Sequence, residues 1–118
     1  HTKVKRKENR YKMAKTILEN VISFETVKDF EKAILNGDFR ISRFIVETIF
    51  KNLDTTKKNI WVFSFNIEET NEICDFSIER KNFIELLEKN LKFYEREEYY
   101  EICLLMQQTI TKLKENES

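Results

Sequence analysis

The chain contains a single glycine, Gly37, and no proline. Those two residues punctuate turns and helix ends, glycine by reaching positive φ and proline by lacking an N–H. A chain almost without them favours long regular elements joined by polar turns. With 118 residues it has room for one domain. The apolar content of 41% is enough for a core, while the charged content of 36% implies a heavily ionic surface.

Apolar spacing divides the chain. Residues 1–9 are polar and basic and are expected to form a flexible arm, with 10–118 as one compact domain. Tyr11, Ala14, Leu18 and Val21 recur at spacings of three and four, which predicts an N-terminal helix widened by Ile17 and Ile22. A strand over 16–24 is the alternative. Thr26 is a good N-cap, because its hydroxyl can accept a free N–H of the following turn. Val27, Phe30 and Ile34 then mark one helical face, which Asn36-Gly37-Asp38 should end. Ile41, Phe44, Ile45, Ile49 and Leu53 mark the next helix, so the two read as an αα-hairpin.

Beyond the polar stretch 54–59 the period changes to two. Trp61, Phe63, Phe65 and Ile67 are expected on one face of a strand over 60–67. Cys74, Phe76 and Ile78 are expected on one face of a second strand over 72–79, opposite Asp75, Ser77 and Glu79. These form a β-hairpin, and a lone hairpin is marginal in water. It must therefore pack on helices or on another chain. Helical spacing returns in Ile84, Leu87, Leu91 and Tyr94, then in Tyr99, Cys103, Met106, Ile110 and Leu113. That predicts an antiparallel helical hairpin over about 81–94 and 97–114. The fold class is thus α+β and predominantly α.

Residues 83–113 resemble the UVR motif, a helical hairpin of excision-repair proteins and some protease adaptors. The family's second helix runs aromatic-Glu-x-Ala-Ala-x-Leu-Arg-Asp-x-Ile-x-x-Leu. Tyr100, Glu101, Met106, Ile110 and Leu113 match it in type, and Cys103 is acceptably small. Gln107-Gln108 replaces its Arg-Asp pair, and Leu104 its second small residue. The resemblance implies a protein-docking hairpin, not a catalytic one.

Several chemistries lack their residues. The one histidine is His1, so triads and metal sites built on imidazole are not expected. One glycine cannot build a phosphate-cradling loop. Cys74 and Cys103 both sit on predicted apolar faces and read as free, core-like thiols. The acidic pairs fall on polar faces or turns, where a carboxylate stays solvated. We therefore expect neither enzyme activity, cofactor, metal nor small-molecule substrate. There is no transmembrane run or signal peptide, and a cytoplasmic location is expected. Residue usage rich in Lys, Asn and Ile fits an AT-rich genome, such as that of a low-GC bacterium or its phage.

Two features point to binding. The last helix carries Ile102, Leu104 and Leu105 beyond its seam, and the aromatic strand sits on a hairpin with an open edge. Trp61, Phe63, Phe65, Tyr99, Ile102 and Leu105 are the expected anchors for another protein or a second copy of the chain, since interfaces favour such residues. The leading expectation is a small accessory or regulatory protein. The second feature is charge. The chain is neutral overall, but Lys3, Lys5, Arg6, Lys7, Arg10, Lys12 and Lys15 crowd the start, leaving 14 basic against 20 acidic residues from position 16 onward. With Tyr11 to stack on a base, the arm could instead bind nucleic acid. The acidic body argues against that reading.

Overall fold

A computed structural model describes residues 21–117. Strand β1 (Val21–Phe24) buries Ile22 and Phe24 and exposes Ser23 between them. It pairs in parallel with β2 (Asn59–Ile67), Val21 opposite Ser64 and Phe24 opposite Ile67. This corrects the expected N-terminal helix at its C-terminal end. The rest of that segment, residues 11–20, lies outside the described residues, as does the basic arm. Alternate residues of β1 suit the half-buried edge of a sheet, and the unpaired backbone edge of β2 offers them hydrogen bonds. The hairpin is therefore part of a three-stranded sheet in the order β1-β2-β3, with β3 spanning Glu72–Glu79.

Helix α1 (Val27–Asn36) starts where Thr26 Oγ1 accepts the Asp29 N–H at 3.1 Å. It stops at Gly37, whose φ of 72° lies in the left-handed region. There the Gly37 N–H bonds Ile34 O and the Asp38 N–H bonds Ala33 O, a Schellman closure of the last turn. Asp38 then caps α2 (Phe39–Lys51), accepting the Arg40 N–H at 2.9 Å. The Arg40 side chain bonds the same carboxylate and holds it below the usual carboxylate range. Helix α2 buries Ile41, Ile45, Val46 and Ile49. By contrast α1 buries no residue fully and rests Phe30 and Ala33 against the core.

Strands β2 and β3 pair antiparallel across a turn in which Asn71 adopts φ 55°. Between Trp61 and Phe63 the register shifts, leaving Val62 as an extra residue in a β-bulge. The shift breaks the expected alternation. Phe63, Phe65 and Ile67 share the helix-facing side with Phe76 and Cys74, whereas Trp61 lies opposite Ser77 and is 44% exposed. Arg80 follows β3 in a single 3-10 turn and ties down the loop before β2, donating to Lys57 O, Asn52 O and Thr55 Oγ1 at 2.6–2.8 Å.

The chain ends in α3 (Phe83–Arg96) and α4 (Tyr100–Glu117), folded back on each other through a turn where Glu98 takes φ 62°. Phe83, Leu87 and Tyr94 of α3 meet Cys103, Met106 and Ile110 of α4 in one core with α2 and the sheet. Helix α2 lies on β2, α3 on α2, and α4 on α3. Among the described residues no helix is long and apolar enough to cross a membrane.

Candidate functional site

Because α2 and α4 both rest on α3, a cleft remains between them. Its volume is about 410 Å³. Phe39, Arg43, Val46, Glu47 and Phe50 form one wall, from a stripe along α2 that helical spacing places on a single side. Ile102 and Leu105 of α4, with Tyr99 just before it, form the other wall, and Tyr94 of α3 forms the floor.

The aromatic rings organise one end. Phe39 meets the edge of Tyr94 with centroids 4.9 Å apart and stacks on Tyr99 at 5.5 Å. Burial pushes the Tyr94 phenol up to about 12, and the Glu47 carboxylate adds to the rise. Arg43 pairs with Glu47 at 3.3 Å on the lip, where both remain largely solvated. Such a pair contributes little to stability.

Tyr94 gives the site a titration signature. Its folded pKa lies above the ordinary tyrosine value, so between pH 10 and 12 the unfolded chain loses this proton first. Stability is therefore unaffected by this group below about pH 10 and falls as pH rises through the folded value, by on the order of 2–3 kcal/mol. Absorbance of tyrosinate against pH should show one phenol ionising near pH 12, and Tyr94→Phe should remove that step.

The cleft suits apolar contact. It exposes Leu105 (54%) and Tyr99 (49%), with the half-buried Ile102 beside them. Cys103 faces the core instead, and burial raises its thiol pKa, which keeps it protonated and a weak nucleophile. Among the described residues no three His, Cys, Asp or Glu side chains gather as a metal site would require.

Of the expected anchors, Tyr99, Ile102 and Leu105 converge on this cleft. The strand residues do not join them. Phe63 is fully buried, 5.2 Å from Phe76, and Phe65 stacks on Phe30 at 4.0 Å. Trp61 belongs to the other side of the sheet, where its indole N–H donates to Ser64 Oγ, which in turn donates to Asp75. The alternative set of Lys3, Lys5, Arg6, Lys7, Arg10, Tyr11, Lys12 and Lys15 lies outside the described residues. Sequence reasoning missed the α2 wall. Its signal is a second stripe, Phe39-Arg43-Val46-Phe50, running beside the core stripe that begins at Ile41.

Compared with known protein families, with curated proteins and with solved structures, the chain matches none.

Proposed function

We propose that this domain is a non-catalytic accessory or regulatory module that docks an apolar segment of a protein in the cleft between α2 and α4. The observation that carries the reading is the exposure of Leu105 and Tyr99 on an open apolar cleft. Large aromatic and aliphatic side chains at a concave surface are what interfaces use as anchors. Two helices over a third leave the space that an amphipathic helix fills in helix-in-groove recognition. The helical hairpin of residues 83–113 supports the docking role that its resemblance to the UVR motif implies. A cytoplasmic setting in a low-GC bacterium or its phage is the accompanying reading of the composition.

The basic arm supports nucleic-acid binding as a second use of the chain. The cleft itself does not favour it, because its one cation, Arg43, is already paired with Glu47.

Leu105→Glu tests the docking reading. The side chain is more than half exposed, so a charge there stays hydrated and should cost less than about 1 kcal/mol of stability. Wild-type chain should self-associate or retain a specific protein from native lysate, and the variant should do neither at an unchanged melting temperature. A wild-type chain that does neither, or a variant that behaves identically, refutes the reading.

A further inference from the structure

Tyr94 carries a polar group that its own domain does not use. The residue is 2% exposed and forms the floor of the cleft between α2 and α4. Its ring packs against Phe39, but among the described residues its hydroxyl has no hydrogen-bond partner. Nor is that oxygen sealed in, since Ser42 Oγ alone among the described residues is both enclosed and unpartnered. After burial, the largest influences on this phenol are the Glu47 carboxylate and the Arg43 guanidinium, both on the lip. The hydroxyl therefore opens into the cleft. It narrows what the cleft can take. A purely aliphatic or phenyl anchor would shut the hydroxyl away from water with nothing to bond, at a cost of about tenfold in affinity. A charged anchor fares no better. Arg43 and Glu47 pair at 3.3 Å and cancel, so neither a cation nor an anion finds an excess of opposite charge to offset its lost hydration. What remains is a neutral ring with an N–H or O–H on its edge. Interfaces bury such rings as anchors and give the polar tip a partner. The cleft volume of about 410 Å³ is within the range of pockets that enclose small ligands.

We propose that the protein segment docked in this cleft inserts a tryptophan or tyrosine side chain whose N–H or O–H hydrogen-bonds Tyr94 Oη. The proposal rests on the docking reading above and names the anchor. The ring lies between Val46 and Phe50 of α2 and Ile102 and Leu105 of α4. An indole N–H donates to Oη, and a phenol O–H can donate to it or accept from it. Either leaves the Arg43–Glu47 pair intact at the lip.

Titration of the full chain with blocked amino acids, followed by backbone-amide NMR shifts, tests this. N-acetyl-tryptophanamide and N-acetyl-tyrosinamide should shift Val46, Phe50, Ile102 and Leu105 with Kd on the order of 1 mM, as their size allows. N-acetyl-phenylalaninamide, which differs from the tyrosine amide by one hydroxyl, should bind about tenfold more weakly. Tyr94→Phe removes the cleft hydroxyl without breaking a hydrogen bond among the described residues, so the fold should be kept. In that variant the tryptophan and tyrosine amides should each weaken about tenfold, and the phenylalanine amide should not weaken. A phenylalanine amide as tight as the tyrosine amide in the wild type overturns the proposal, as does an unchanged preference in Tyr94→Phe. If no amide shifts the cleft residues while the chain captures a protein that Leu105→Glu loses, the anchor fails and the docking reading stands. If neither occurs, both fail.

Discussion

Phe63→Ala is expected to cost about 3–5 kcal/mol of folding free energy, and Trp61→Ala less than about 1 kcal/mol, although the two residues are two positions apart in one strand. The contrast follows from the bulge at Val62. Phe63 is fully buried among Phe44, Phe65 and Phe76, so truncation removes ring contacts on several sides and leaves a cavity beneath α2. Trp61 is 44% exposed and makes one long hydrogen bond, to Ser64 Oγ at 3.3 Å. Domains of this size are stable by about 5–15 kcal/mol, so Phe63→Ala should leave a considerable unfolded fraction at elevated temperature. Urea unfolding followed by circular dichroism measures both, since Trp61 is the chain's sole tryptophan and its loss removes the fluorescence probe. Equal costs at the two positions would mean that the strand alternates without interruption, contrary to the bulged register.

Gly37→Ala carries the next largest effect, about 2–5 kcal/mol, from two separable causes. One is conformational: φ of 72° costs a residue with a Cβ about 1–2 kcal/mol. The other is steric, because a Cβ on Gly37 would overlap the Phe93 ring. Overpacking of this kind costs about 1–3 kcal/mol unless the ring moves. Arg96 makes movement harder, since it lies over Phe93 while donating to Gly37 O at 2.9 Å. A double-mutant cycle with Phe93→Ala separates the causes. The steric part should vanish in the Phe93→Ala background and the conformational part persist. Strict additivity would show that the ring does not restrict this position.

The legible parts of the fold were those whose signals lie close together in the chain. Thr26 and Gly37 bracket α1 because a cap hydroxyl and a left-handed glycine act within one turn. The period-two runs on either side of 68–71 marked β2 and β3 for the same reason. The apolar spacing from Ile84 to Leu113 identified the last two helices, although their boundaries fall two or three residues later than the spacing suggested. Strand β1 was legible only as the alternative over 16–24, because Val21 extends a helical spacing, while its strand partner is remote in sequence. No glycine or proline marks the bulge, so Trp61 counted as one of the aromatic face. The site was half legible. Leu105 and Ile102 stood out as surplus apolar residues on α4, but Phe39 and Phe50 lie outside the stripe from Ile41 to Leu53 that the spacing marks, and only the packing of α2 and α4 on α3 brings them to the cleft.

The parallel pairing of β1 with β2 sets an order of assembly. Val21 meets Ser64 roughly forty positions downstream, with both α1 and α2 in the intervening loop. The β2–β3 ladder and the α3–α4 pair need only short turns to close. Loop-closure entropy therefore favours the C-terminal half as the folding nucleus, with the four residues of β1 joining after β2 is in place. A strand that joins late is also held by few bonds, so in the native protein its amides should be among the first in the sheet to open and exchange with solvent.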